Sequence, residues 1–240
     1  MIKELIASKG KLHFTLIDPE KQKPEEAGRL ARLVESYGSD ALMVGGSTIE
    51  GTVVDDTVRA VKKACRLPVI LFPSTARGVS PNADFIFWMM LMNSNNRRFL
   101  VGEQVKAALP LSKTKLKPIG MGYIVISTSS KPTAVEVVGE VDRITERDIE
   151  KAVSYALTAQ YFGMECVYLE AGSGAEKPIT DELIRSVKKA LNIPVIVGGG
   201  IRSPEVAKQK AAAGADVIVT GTIAERNPEI VKEIIKAIKG

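Results

Sequence analysis

The chain reads as an α/β protein with a (β/α)8 barrel, and three observations predict it. Short β-branched stretches alternate with amphipathic helical ones, the pattern of βαβ units around a parallel sheet. The length of 240 residues suits one barrel domain, 1–240, better than two domains. Near the end, Pro194–Thr222 (PVIVGGGIRSPEVAKQKAAAGADVIVTGT) places two glycine loops directly after two consecutive strand-like runs. In a barrel these are the loops after strands seven and eight. Their backbone N–H groups, with a helix N-terminus, make an anion site.

In chain order, Leu12–Ile17 is the first strand and delivers Asp18 at its C-terminal end. Pro24–Tyr37 is helical, with an apolar stripe at Leu30, Leu33 and Val34 and a stop at Gly38. Ala41–Val44 is the second strand and runs into Gly45, Gly46, Ser47 and Thr48; Asp55–Cys65 is the next helix. Pro68–Phe72 and Ala83–Phe87 are strands three and four. Between them, the ten residues Pro73–Asn82 hold two prolines and a glycine. A parallel crossover needs a dozen residues or more. The third barrel helix is therefore predicted to be missing or replaced by an irregular segment, leaving the wall thin there.

Phe99–Leu109 is predicted helical and Pro118–Ile126 is the fifth strand. Ser127–Asp142 is rich in Ser, Thr and Val without helical period and reads as an inserted β-like segment. Thr145 is the expected cap of a helix over Glu146–Phe162, and Glu165–Leu169 is strand six. Thr180–Leu191 is a helix, and Pro194–Val197 is strand seven. Ser203 is placed to cap a helix that begins at Pro204 and stops at Gly214. Ala215–Thr220 is strand eight, and Pro228–Ile238 is the last helix.

The composition, 45% hydrophobic and 25% charged, is that of an ordinary globular protein. The formal charge of +5 is spread along the chain. It argues against a nucleic-acid partner and suits an anionic substrate or a loose peripheral membrane association. Cys65 and Cys166 form no CxxC pair, which disfavours a disulfide scaffold or a zinc site. The start MIKELIASKGKLHF lacks the apolar core of a signal peptide, and the longest apolar run, Phe85–Met92, is too short to span a bilayer. These features predict a cytoplasmic protein.

Barrel chemistry sits at the C-terminal strand ends. There the chain offers Asp18, Ser47 and Thr48, then Ser74, Thr75 and Arg77, then Tyr168 and Glu170, then the glycine loops with Arg202. His13 is the only histidine and lies at the wrong end of its strand, so a structural role is expected. No lysine falls in the C-terminal half of a strand, which disfavours Schiff-base chemistry. Carboxylate, hydroxyl and amide chemistry around a phosphate remains. Asp18 with Ser47 is a hard-oxygen pair suited to Mg²⁺, and Glu170 suits a general base or a hydroxyl clamp.

Seven segments occur in order: HFTLIDPEK (13–21), VGGST (44–48), LFPS (71–74), MGYIV (121–125), YLEAGSG (168–174), VGGGIRS (197–203) and VTGT (219–222). Together they resemble the geranylgeranylglyceryl phosphate synthase family over almost the whole chain. VGGGIRS alone is a common phosphate-barrel feature; LIDPEK, GGST and YLEAGSG in combination are specific. The resemblance implies a barrel without its third helix. It also implies a Mg²⁺-dependent prenyltransferase that joins glycerol 1-phosphate to a polyprenyl diphosphate, with geranylgeranyl the expected chain, and works as a homo-oligomer, dimer or hexamer. It assigns Mg²⁺ to Asp18 and Ser47. It assigns glycerol 1-phosphate to Tyr168, Leu169, Glu170, Ala171, Gly172, Ser173 and Gly174, with Gly199, Gly200, Gly221 and Thr222. Glu170 and Tyr168 become the catalytic pair. A bacterial branch of the family carries lysine at the position of Leu16, which places this chain in the archaeal-type branch.

The prenyl chain needs an apolar groove beside the thinned wall, for which Phe85, Phe87, Trp88, Met89 and Leu91 are candidates. The resemblance makes Phe99 the groove's floor. Two rival readings are a sugar-phosphate isomerase or epimerase and a non-catalytic isoprenoid-binding barrel. The first needs a second acid or base opposite Glu170; the second leaves Asp18 and Glu170 without a task.

Overall fold

Strands buried on both faces are held by two separate apolar layers, and here the two side-chain phases sort cleanly between them. The computed structural model describes residues 1–46 and 52–240. Its parallel strands are β1 Leu12–Ile17, β2 Ala41–Val44, β3 Val69–Leu71, β4 Phe85–Leu91, β5 Lys117–Val125, β6 Cys166–Glu170, β7 Val195–Gly198 and β8 Val217–Thr220. They close into a barrel in sequence order, with β8 pairing back onto β1. Phe14, Met43, Ile70, Phe87, Met121 and Tyr168 belong to the phase that fills the barrel. Leu42, Val69, Ile86, Leu169 and Val195 belong to the phase packed under the helices. Each such fully buried side chain contributes about 1.5–3 kcal/mol of transfer free energy.

The helices are α1 Ile2–Lys9, α2 Pro24–Ser36, α3 Thr52–Ala64, α4 Glu103–Leu111, α5 Ala134–Val138, α6 Ile149–Tyr161, α7 Asp181–Ala190, α8 Pro204–Ala213, α9 Thr222–Arg226 and α10 Pro228–Lys239. Ser203 Oγ accepts from Val206 N at 3.3 Å, and Gly214 ends α8 at φ 122°, as the sequence predicts. Between β3 and β4 there is no α-helix, only a single 3₁₀ turn at Ala76–Gly78. The third crossover helix is thus absent, and half-buried Trp88 on the outward phase of β4 stands where it would have packed.

Several elements differ from the sequence reading. β4 runs on to Leu91, because β5 continues alongside it through Leu91↔Tyr123. The segment 127–142 is not β-like: it contains α5, nucleated by a capping box in which Glu136 accepts from Thr133 N at 2.7 Å. Thr145 does not cap α6; its hydroxyl donates to Asp148 at 2.6 Å, and the helix starts only at Ile149. Two short helices go beyond the sequence reading, α1 and the five-residue α9 after β8. α1 packs Ile2, Leu5 and Ile6 onto the barrel interior beside Leu12. Among the described residues, no helix is long and apolar enough to cross a membrane.

His13 is structural. It is fully buried, with Nδ1 3.1 Å from Ser39 Oγ and Nε2 2.9 Å from Thr220 Oγ1. Burial lowers its pKa to about 3, against the pull of Asp40, so the ring stays neutral.

Candidate functional site

A cavity of about 440 Å³ opens at the C-terminal ends of the strands and gathers most of the predicted residues. Asp18, Tyr168, Glu170, Gly172, Ser173 and Gly174 line it, together with Gly199, Gly200, Gly221 and Thr222. The same cavity continues to Phe87, Trp88, Met89, Leu91 and Phe99. Polar strand ends and the apolar wall of β4 therefore share one space. Phe85 lies outside this lining. Leu169 and Ala171 do not face the cavity: both are fully buried in the layer under the helices. Period two explains this, since Tyr168 and Glu170 point inward and their neighbours cannot. Ser47 lies outside the described residues.

Glu170 is the last residue of β6 and is only 6% exposed. Gly172 N donates to its Oε1 at 2.6 Å, and the Tyr168 and Tyr123 hydroxyls donate to it as well. Burial raises its pKa above the ordinary carboxylate value, and these three donors pull against that rise. The two tyrosines are held well above their usual pKa, first by burial and then by the Glu170 charge. Phe72 completes the cluster, 5.7 Å from Tyr168 and 5.4 Å from Tyr123. Gly199 passes so close that a Cβ there would lie 2.7 Å from Glu170 Oε1, and its φ of 83° favours glycine independently.

Asp18 is half-buried at the end of β1. Lys21 Nζ lies 2.9 Å from its Oδ2, and Glu20 N donates to its Oδ1 at 3.1 Å. Its own amide donates to Glu225 Oε1 at 3.4 Å. Among the described residues, no three His, Cys, Asp or Glu side chains converge as a metal cage. One cavity-lining carboxylate fits a hard divalent ion such as Mg²⁺, which keeps waters and takes further oxygens from a substrate phosphate.

The apolar end is braced by a residue the sequence reading passed over. Glu103, at the start of α4, accepts from Ala76 N in the 3₁₀ turn at 2.8 Å and from Arg98 Nε and Lys106 Nζ at 2.8 Å each. Burial alone would raise its pKa; these donors hold it down at about 2. Two buried polar atoms in the cavity wall, Ser74 Oγ and Gln104 Oε1, have no hydrogen-bond partner among the described residues. Tyr123 was also missed, although it sits in MGYIV. Its role depends on the register Tyr123↔Tyr168, which no local pattern reveals.

Comparison with known proteins agrees with this geometry. The model of the PcrB family matches residues 4–239. The geranylgeranylglyceryl phosphate synthase of Thermoplasma acidophilum is 48% identical over 96% of this chain and 91% of its own length. That of Pyrococcus horikoshii is 49% identical over 91% of this chain and 85% of its own. A crystal structure of the T. acidophilum (S)-3-O-geranylgeranylglyceryl phosphate synthase, solved with its substrate sn-glycerol-1-phosphate, superposes with a TM-score of 0.94 at 46% identity, covering 100% of this chain and 98% of that one. The chain belongs to the PcrB family, the family of the geranylgeranylglyceryl phosphate synthases its motifs resemble.

Proposed function

We infer that this protein is a prenyltransferase that joins sn-glycerol 1-phosphate to geranylgeranyl diphosphate and releases diphosphate. One observation carries the reading: a buried, hydrogen-bonded carboxylate, Glu170, stands in a single cavity between glycine loops and an apolar groove. The loops at Gly199–Gly200 and Gly221–Thr222 bind the glycerol phosphate through backbone amides. Glu170 orients the attacking hydroxyl. As that oxygen bonds to C1 of the prenyl chain, the C1–O bond to diphosphate breaks, its electron pair leaves with the diphosphate, and the hydroxyl proton passes to Glu170. Tyr123 and Tyr168 hold the carboxylate in place. Asp18 and Ser47 hold Mg²⁺, which supplies charge neutralisation for the leaving group when bound.

An isomerase or epimerase would need a second acid or base beside Glu170. The groups that touch it are tyrosines with pKa pushed well above 10 and a backbone amide, which favours transfer over proton shuttling. The same reading puts the protein in the cytoplasm, in loose peripheral contact with membranes. Exposed Val105 and Leu109 on α4 and Tyr161 and Phe162 at the end of α6 support a homo-oligomer, which light scattering reads directly.

The test is incubation of the purified protein with geranylgeranyl diphosphate and either enantiomer of glycerol phosphate, with Mg²⁺ or with chelator. Mass spectrometry should find the ether product only with sn-glycerol 1-phosphate and Mg²⁺. Absence of product under that condition overturns the reading, and product formation in chelator overturns the Mg²⁺ assignment.

A further inference from the structure

Lys21 stands at the seam of the polar end. Its Nζ is 2.9 Å from Asp18 Oδ2 on the β1 loop and 3.4 Å from Ser173 Oγ on the β6 loop. Ser173 Oγ is in turn 3.3 Å from Thr222 Oγ1 on the β8 loop. One ammonium thus ties the carboxylate end of the cavity to the loops that carry the glycine site. Its side chain is 44% exposed, so a ligand can reach it.

The other cations lining the cavity among the described residues are differently placed. Arg202 is committed to the Glu176 carbonyl at 3.2 Å and to the Ala175 carbonyl. Arg226, at the end of α9, is exposed. Leu16, whose side chain lies 3.5 Å from where a Cβ on Gly221 would stand, puts no charge beside that loop. Lys21 is therefore the cavity cation that spans both ends of the polar site.

The reaction inferred above handles two phosphate-bearing ligands. Backbone amides account for the glycerol phosphate. The diphosphate is the more highly charged group, and it gains charge as its bond to carbon breaks. The carboxylates at that end, Asp18 and the neighbouring Glu225, would repel it. A fixed cation at the place where charge develops is what such a step requires. We propose that Lys21 binds the diphosphate leaving group, exchanging its contact with Asp18 for phosphoryl oxygens when the substrate enters. Its nearest partner being Asp18 rather than Ser173 puts it on the diphosphate side of the seam.

The proposal rests on the prenyl-transfer reading, and calorimetry separates the two. Wild type, Lys21→Met and Lys21→Arg are titrated with inorganic pyrophosphate at saturating Mg²⁺, and separately with glycerol 1-phosphate. Saturating Mg²⁺ removes any effect that comes only from a loosened Asp18. Lys21→Met should weaken pyrophosphate about tenfold or more, the range for losing a charge-assisted hydrogen bond. Lys21→Arg should recover most of that loss, and glycerol 1-phosphate affinity should stay within about twofold, the scale of an exposed charge pair. Unchanged pyrophosphate affinity overturns the proposal, as does a loss confined to glycerol 1-phosphate. If wild type transfers no prenyl group, the reading beneath it fails instead. Unaltered circular dichroism and melting of the variants keep a folding defect from being read as either outcome.

Discussion

The two sides of the cavity are built differently. On the β6–β8 side, backbone faces the cavity: Gly199, Gly200 and Gly221 follow their strands within one or two residues, and Glu170 is locked by an amide two residues on. On the β3–β4 side, side chains from elements far apart in sequence form the wall. Trp88, Phe99 and Gln104 face a space that exists because a helix is missing, and Glu103 bridges that space to Ala76. The first side is rigid and local. The second depends on tertiary braces, so perturbations should act on chemistry and phosphate affinity on one side and on chain fit on the other.

Glu170→Gln should break the first side most severely. It keeps the shape and removes the base, so kcat should fall by roughly 10²-fold or more while glycerol 1-phosphate still binds. Single-turnover kinetics checks this; lost binding with unchanged turnover of bound substrate would make Glu170 a clamp only. The pH profile follows from the same carboxylate. Because burial raises its pKa, kcat/KM should fall as pH drops through a value above about 4.3, the ordinary Glu pKa, and the Gln variant should lack that limb.

The glycine loops can be tested without collapsing them, provided the right glycine is chosen. Gly200→Val, the obvious substitution from sequence, is unsuitable. A Cβ at Gly200 would lie 2.7 Å from the backbone of Lys177 and Pro178, at φ 71°, so the loop would be displaced whatever it binds. Gly221 has φ −120° and open space, with Leu16 at an ordinary 3.5 Å. Gly221→Ala should fold normally and weaken glycerol 1-phosphate about tenfold, roughly 1.4 kcal/mol. Unchanged affinity by calorimetry would remove this loop from the phosphate site.

This contrast explains what was legible in the sequence. Strand period two, with glycine or a carboxylate at the C-terminal ends of β1, β6, β7 and β8, was enough to place Asp18, Glu170 and both loops. The missing helix was legible from the ten residues at Pro73–Asn82. The Leu169 and Ala171 side chains pack away from the cavity, so within the segment 168–174 these two residues can meet a ligand only through their backbone. Tyr123 and Glu103 were not legible, because one depends on inter-strand register and the other on a turn and a helix meeting in space. α5 was legible in principle: Thr133 and Glu136 spell a capping box inside a β-branched run.

Glu103→Gln should sharpen the other side of the comparison. Losing its charge weakens the ties to Arg98 and Lys106, which are partly exposed, and lowers stability by about 1 kcal/mol, or 2–4 °C in Tm. KM for the prenyl diphosphate should rise several-fold, with glycerol 1-phosphate unaffected. The sign with pH is fixed by the lowered pKa of about 2. This carboxylate's stabilisation is complete above its unfolded pKa and lost as pH falls from there toward about 2. A melting curve of the Gln variant that parallels wild type through that acid window would remove Glu103 as a brace.

The smallest effect is expected at Phe99, where the question is fit. Its ring is half-buried, lies in the cavity lining with Trp88 and Gln104, and carries the Arg98 guanidinium 5.3 Å from its centroid. A half-buried ring on a cavity wall is poorly placed as a core residue. Phe99→Ala should therefore cost less than the roughly 3–5 kcal/mol of a fully buried phenylalanine. What it removes is apolar volume at the groove's end, space that a longer chain can occupy. The variant should accept diphosphates at least one isoprene longer than geranylgeranyl, with a shift of only about a few-fold in relative kcat/KM, because an apolar pocket discriminates weakly between chains that both fit it. Competition between chain lengths in one reaction, read by mass spectrometry, gives that ratio directly. An unaltered length profile in a folded variant would move the floor of the groove elsewhere. A large loss of stability with the profile intact would show that Phe99 instead secures α4 against the barrel, as Glu103 does from the other end of the same turn.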